Sequence, residues 1–439
     1  MTYRDIDVNI SSETKSMLLE VQKFSMEVMR PAGVKLDSLS APEDVIAEGS
    51  ALWGVFKGFR GMDLHLLQIP KALGGMAEDL DPMAAILVTE QLGYADSGLT
   101  ISMGVSCMPF NYAAMFPVPE MQQMARDFCA DKEGKMIGCW AITEPDHGTD
   151  WTIGGKDPKC GPSVKAVLKG DEYIVNGEKS AWVSNGTIAT HAVLHVAMDP
   201  SRGMEGQGLA IIPLDLPGIS RGKPLDKMGQ RPLNQGSIIF QDARIPKKYM
   251  VIPDPDFMKS IGGLGLAYVN GGMALVFAGL AKAAFDEAYG YSKSRIQGGK
   301  PIFEHQSIKL KLMKMFVMVE ATRANARRMA LYNRFNPMRP SVPHAVAGKC
   351  LSTETAFQVA SEAMQIFGGY GLAKEYPIEK IFRDARASMI EDGINEALAL
   401  KAVEFILLRQ IAFMARCKTD RLSGLIRKSP LAPLFQRGG

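Results

Sequence analysis

The chain has 439 residues, enough for two or three domains with a substantial core. Its 50 basic and 47 acidic side chains leave a net charge of +3, which gives no preference for nucleic acid or a membrane surface. Apolar residues make up 46% of the chain, and no uncharged run is expected to reach the ~18 residues needed to span a bilayer. The opening MTYRDIDVNISSETKS contains acids and lacks both an apolar core and an Arg-rich amphipathic pattern, so no signal or transit peptide is recognised in it. Cys107, Cys129, Cys139, Cys160, Cys350 and Cys417 form neither a CxxC pair nor a disulfide framework, and a reducing cytoplasm is expected.

In chain order, residues 1–135 read as a helical domain. Leu18, Val21, Phe24 and Val28 are spaced for one apolar face, and Ala84 to Leu92 gives a second buried helix. Short β-prone runs follow over 136–254: Met136–Ile142, Val164–Leu168, Tyr173–Val175, Ala192–Met198, Leu209–Leu214 and Ser237–Phe240. Asn176-Gly177 is expected to be a turn between two of them. Helical periodicity returns over 255–416, where Ile308, Leu312, Met315 and Val319 step round one face and Ala347–Phe367 forms a long segment. Short connections between such helices predict an antiparallel bundle. Residues 417–439 are basic, lack a period, and are expected to form a peripheral tail.

Five stretches stand out as chemistry. Thr143-Glu144-Pro145 through Gly148-Thr149-Asp150 follows a strand; a Gly-rich turn with hydroxyls can offer N–H groups to a polar ring edge or a pyrophosphate, or be a plain connection. Trp182-Val183-Ser184 is either a recognition element or a core Trp. Arg295, Gly299, Ile302 and His305-Gln306 form a further block, in which Arg295 taken alone reads as a helix-capping residue at a loop. Gln365 and Gly368-Gly369 interrupt a helix, and a Gly pair lets backbone approach a ligand closely. Glu391-Asp392-Gly393 sets carboxylates at a turn, where acid/base work or a solvated corner are both open. His191 and His195 share a strand face among apolar neighbours and read as core rather than metal ligands. No GxSxG, Walker or zincin motif occurs.

The C-terminal run Q-x-x-GG-x-G from Gln365, Glu375-Tyr376-Pro377, Arg383-Asp384-Ala385 and Asp392-Gly393 resembles the signature of the acyl-CoA dehydrogenase family. The Thr143, Trp182 and Arg295 blocks match it in the same order. The resemblance implies an α+β fold: an N-terminal α-helical domain, a central β-barrel-like or sandwich domain, and a C-terminal four-helix bundle. It implies bound FAD, with Thr143, Gly148, Thr149, Trp182 and Ser184 at the flavin and Arg295 and Gln306 at the pyrophosphate. Gln365, Gly368 and Gly369 would reach a neighbouring subunit's cofactor, which implies a homo-oligomer, expected to be a tetramer. Asn395 and Glu396 would close over the adenine end. Thr100, Thr149, Asn270 and Gly393 are the expected substrate contacts. Asp392 is expected to take the α-proton of an acyl-CoA while the β-hydride passes to the flavin, with electrons leaving to an electron-transfer flavoprotein.

The chain also departs from the family pattern. Asp392 replaces the usual Glu, Gly298 a Phe, Asn270 an Arg, and Ile394 a Thr; Gly98-Leu99-Thr100 lacks the Arg of glutaryl-type members. A shorter base in a more apolar setting leads to the expectation of a bulky, cyclic or branched acyl group. The rivals are a nitroalkane-oxidase-like flavoenzyme, a 1,4-dehydrogenating cyclic acyl-CoA enzyme, an enoyl-CoA reductase and a non-catalytic flavoprotein assembly partner.

Overall fold

A computed structural model describes residues 10–407, so the expected tail at 417–439 and the end of the expected bundle lie outside the described residues. Helices α1 (Ser12–Phe24), α2 (Ala51–Gly61), α3 (Ala84–Ala95), α4 (Ser97–Ala113) and α5 (Pro119–Ala130) come first. Ser11 caps α1 through its hydroxyl, which accepts from Thr14 N at 3.1 Å. Phe56, Phe110 and Phe128 are buried at the centre, with Phe110 stacked on Phe128 at 4.0 Å. Asp96 separates α3 from α4 and accepts the Leu99 N–H at 2.9 Å, so a helix starts there as its predecessor ends.

The middle of the chain is an eight-stranded sheet. Its strands are β1 (Gly138–Ala141), β2 (Lys165–Lys169), β3 (Glu172–Lys179), β4 (His191–Ala197), β5 (Gln207–Pro213), β6 (Ile219–Arg221), β7 (Ile238–Pro246) and β8 (Met250–Ile252). The order is β6-β7-β3-β2-β4-β5-β8, with β1 parallel to β4. The expected turn at Asn176-Gly177 is corrected: both residues lie inside β3, at a bulge between Val175 and Gly177. Asn176 pairs there with Asp242, and a Cβ on Gly177 would sit 2.9 Å from Val164 Cα, so Gly admits a close backbone crossing. The β2–β3 hairpin turns instead at Gly170-Asp171, where Gly170 has φ +63°.

The final third is helical: α6 (Pro255–Ser294), α7 (Gln306–Phe335), α8 (Val342–Phe367), α9 (Pro377–Ser388), and a last helix over 395–407. A Cβ on Gly279 of α6 would meet Glu90 O at 2.1 Å, so α3 and α6 touch backbone to backbone and tie the first helices to the bundle. The absence of a membrane-length segment also needs correction. Ser260 to Ala281 carries no charged side chain, and α6 is long and apolar enough to cross a bilayer by composition. In the fold, 67% of its most apolar window is buried against neighbouring helices, as in a bundle's core helix.

Candidate active site

The loop after β1 carries the first group. Thr143 is half-buried and its carbonyl accepts the Ser180 N–H at 2.9 Å, joining this loop to the segment leading into Trp182. Glu144, the acid of the same motif, points inward. Its carboxylate meets Lys179 Nζ at 2.7 Å and the Ser163 and Val164 backbone N–H groups, with both charged side chains fully buried. Burial would raise the Glu144 pKa, but Lys179 and Ser163 outweigh it and the net direction is down. Gly148 faces open space, with no heavy atom within 4 Å of where a Cβ would stand, and Thr149 beside it is half-buried.

Trp182 leaves 58% of its surface exposed, unusual for an indole in a β domain. Its carbonyl and the Ser184 hydroxyl both accept from Gln235 Nε2, at 3.1 and 3.2 Å. The Lys227 ammonium in turn donates to Gln235 Oε1 at 2.8 Å. Asn185, with φ +59°, then bonds to Ser102 of α4 and to Gly138 O. The exposed ring therefore stands on a braced loop.

The loop carrying Glu391-Asp392-Gly393 comes from far along the chain and approaches this group. Asp392 has φ +51° and Gly393 φ +99°; a Cβ on Gly393 would lie 3.1 Å from Thr152 Oγ1, just past Thr149. Residues some 240 apart in sequence thus lie close together. Asp392 is reachable by solvent but ringed at depth by protein. That enclosure raises its pKa to about 6, opposed by the Lys349 ammonium. Glu391 turns the other way, accepting Gln230 Nε2 at 2.9 Å, and burial raises its pKa to about 7. Arg383 and Asp384 hold the helix before this loop in place. Arg383 pairs with Asp37 and Glu379, while Asp384 pairs with Lys380 and the Gln230 N–H. They frame the site and do not enter it.

A second group gathers elsewhere. Arg295 ends α6 beside the two-strand ribbon β9 (Ile296–Gln297) and β10 (Lys300–Pro301). Gly298 and Gly299 turn that ribbon with φ +64° and +78°, backbone conformations that favour Gly. Arg295, Gln365, Gly368 and Gly369 line one groove of about 920 Å³, with Tyr291 and Tyr370 among its walls. The guanidinium lies 5.4 Å from the Tyr370 ring centre. Gln306 is exposed at the start of α7, next to His305 and Ser307 of this groove. None of Thr149, Trp182, Ser184 or Asp392 lines it.

Three expected ligand contacts are inside the protein. Thr100 is buried and its hydroxyl bonds to Asp96 O at 2.7 Å, within its own helix. Asn270 is fully buried, donating to Leu266 O, with its side-chain oxygen unpaired among the described residues. Asn395 is buried too: its amide oxygen accepts Lys349 Nζ at 2.8 Å and its nitrogen donates to Thr353 Oγ1. The Thr100 hydroxyl and the Asn395 amide are engaged inside the protein, while the enclosed Asn270 side-chain oxygen lacks a partner among the described residues. Glu396 is exposed. Lys179, Lys227, Gln235 and Lys349 were missed in the sequence, since a lone Lys or Gln belongs to no pattern.

The surfaces fit an extended flavin cofactor: an exposed indole and hydroxyl at one end, an open Gly cradle, and a guanidinium groove for a diphosphate. Comparison with known proteins agrees. The chain matches the acyl-CoA dehydrogenase N-terminal domain over residues 11–124, the middle domain over 139–243 and the C-terminal domain over 265–407. The mitochondrial short-chain specific acyl-CoA dehydrogenase of Homo sapiens is 29% identical over 387 residues, covering 88% of each chain. The butyryl-CoA dehydrogenase structure from Megasphaera elsdenii superposes with a TM-score of 0.80 at 26% identity, over 92% of this chain and all of that one. A nitroalkane oxidase structure superposes at 0.81 over 92% of this chain and 97% of that one; its 18% identity speaks for the fold alone.

Proposed function

We propose that this chain, which belongs to the acyl-CoA dehydrogenase family, uses Asp392 as the base that removes the α-proton of an acyl-CoA thioester. The family reaction is an FAD-dependent dehydrogenation of a CH–CH bond, and FAD when bound supplies the acceptor for the β-hydride. Trp182, Ser184 and Thr149 would hold its ring end, and Arg295 with Gln365, Gly368 and Gly369 a diphosphate end. The observation that carries the reading is the close approach of Gly393 to Thr152, which brings the loop with the accessible Asp392 carboxylate near the segment bearing Thr149. Enclosure makes that carboxylate a better proton acceptor than a free Asp, while leaving it ionised at neutral pH.

The Arg295 groove and the Trp182–Asp392 surface do not share a cavity within one chain. This supports a homotetramer in which each groove receives the far end of a neighbour's cofactor. An electron-transfer flavoprotein is the proposed oxidant of the reduced enzyme. The described cysteines are free thiols, in keeping with a reducing cytoplasm. The short base and Ile394 favour a bulky or branched acyl group, whereas the relatives named short-chain favour a small one. Anaerobic mixing of the purified enzyme with butyryl-, palmitoyl-, branched and cyclic acyl-CoAs, followed by flavin bleaching, tests both. No bleaching by any thioester, with oxygen uptake on nitroethane, would sink the thioester reading.

Arg295→Ala should weaken FAD retention by about 1.5–3 kcal/mol, the contribution of a charge-assisted hydrogen bond. Equilibrium dialysis of the tetramer reads this; unchanged FAD affinity would place the diphosphate elsewhere.

A further inference from the structure

We infer that Lys349 is a positioning residue for Asp392: its buried ammonium pins the loop carrying that carboxylate and supplies the charge that keeps it ionised. This rests on the reading of Asp392 as the base. Lys349 lies on α8 with no exposed surface. Its Nζ donates to Gly393 O at 2.9 Å and to Asn395 Oδ1 at 2.8 Å, so it grips the residue after the base and the one two further on. The Gly393 carbonyl belongs to a pair of residues with positive φ, outside any helix ladder, and needs a donor from elsewhere.

Hydrogen bonding alone does not explain a lysine here. Both acceptors are neutral, and the loop has other closures: Asn395 N to Met389 O at 3.2 Å, and Asn395 Nδ2 to Thr353 Oγ1 at 3.1 Å. A neutral amide could serve the same acceptors, whereas a fully buried ammonium costs several kcal/mol unless a counter-charge compensates it. The groups facing it are Asp392, Glu391 and Glu396 on the loop and Cys350 on its own helix. Glu354, one turn along α8, approaches Asn395 Nδ2. Glu391 is already engaged by Gln230 and lies in the field of Lys227. Asp392 is foremost among the charges acting on Lys349, and Lys349 is the cation that opposes protonation of Asp392. The bond to Gly393 O holds the ammonium one residue from that carboxylate, so the two charges stabilise each other.

The test is a pH titration of the carboxyl stretch by infrared difference spectroscopy on the FAD-loaded enzyme. Asp392→Asn assigns the band and Glu391→Gln excludes its neighbour. Lys349→Gln, which keeps a donor but loses the charge, should raise the Asp392 midpoint by about one pH unit or more. Lys349→Arg should hold it near the wild-type value, and Asn395→Ala, which keeps the cation, should move it far less than Lys349→Gln. A midpoint unmoved in Lys349→Gln overturns the inference, as does an equal shift in Asn395→Ala. Should Lys349→Gln not fold, the coupling is read from the other side: in Asp392→Asn the Lys349 ammonium, followed by carbon NMR of its Cε, should titrate at lower pH. An unchanged Lys349 midpoint there is equally fatal. Full-rate flavin bleaching in Asp392→Asn would remove the base reading instead, and leave the coupled pair standing.

Discussion

Asp392→Asn should bind FAD and acyl-CoA almost normally and yet reduce its flavin about 10²–10⁴ times more slowly, the usual contribution of a positioned general base. The amide keeps the shape and an acceptor oxygen but cannot take a proton. Rapid-mixing absorbance with whichever thioester bleaches the wild type fastest reads the loss directly. The pH dependence gives a second signature. The active form of Asp392 is ionised, so wild-type reduction should be slow in acid, rise with pH through about 6, and then level off. The variant has no such group and should lose that limb. Glu391→Gln is the register control: its side chain can still accept from Gln230 Nε2, and reduction should change little. Abolition by Glu391→Gln, with Asp392→Asn intact, would make Glu391 the base and remove the argument from side-chain length. Asp392→Glu then asks what the short side chain is for, because a longer base in a pocket shaped for Asp should slow the native substrate by misplacing the carboxylate.

The largest effect on stability is expected at Lys179→Met. Lys179 and Glu144 are both fully buried and 2.7 Å apart. The same ammonium donates to Ile142 O at 3.0 Å and lies 4.8 Å from the Trp151 ring centre. Removing the cation leaves an unpaired carboxylate in the interior, which costs about 3–5 kcal/mol in comparable pairs. The loss should be local at first, seen as faster amide exchange in β3 and the loop 143–153, with FAD retained less well. Adding Glu144→Gln removes the stranded charge, keeps an acceptor for the Ser163 and Val164 N–H groups, and should recover most of the loss. Wild-type exchange protection in Lys179→Met would show that the pair contributes nothing to holding this loop.

These outcomes bear on how much of the molecule could be read from its residues. The two helical regions and the β region between them were legible because apolar spacing is a local property, set by the 3.6- and 2-residue periods of the elements. The motif blocks were legible because their residue types are rare in those arrangements. Glu144 shows the limit. It stands in the middle of the most recognisable loop, yet its carboxylate points into the core and serves Lys179 and Ser163. Asn176-Gly177 shows another: a dipeptide that turns well in isolation is held straight by Asp242 and Val164, neither of them near in sequence.

The sequence by itself determined the order of helical, β and helical regions, the family, and the carboxylate at the end of the chain that could act as a base. Tertiary structure alone decided which motif residues meet. It brought Gly393, next to Asp392, close to Thr152 of the segment that bears Thr149, gathered Arg295 with Gln365 and Gly368-Gly369 in a groove elsewhere, and turned Thr100, Asn270 and Asn395 inward. It also revealed Lys349 bonded to the carbonyl next to Asp392. The reason is that burial and the field at a charge depend on atoms brought together across hundreds of residues. A lysine on a helix carries no mark in its own neighbourhood of the carboxylate it will face.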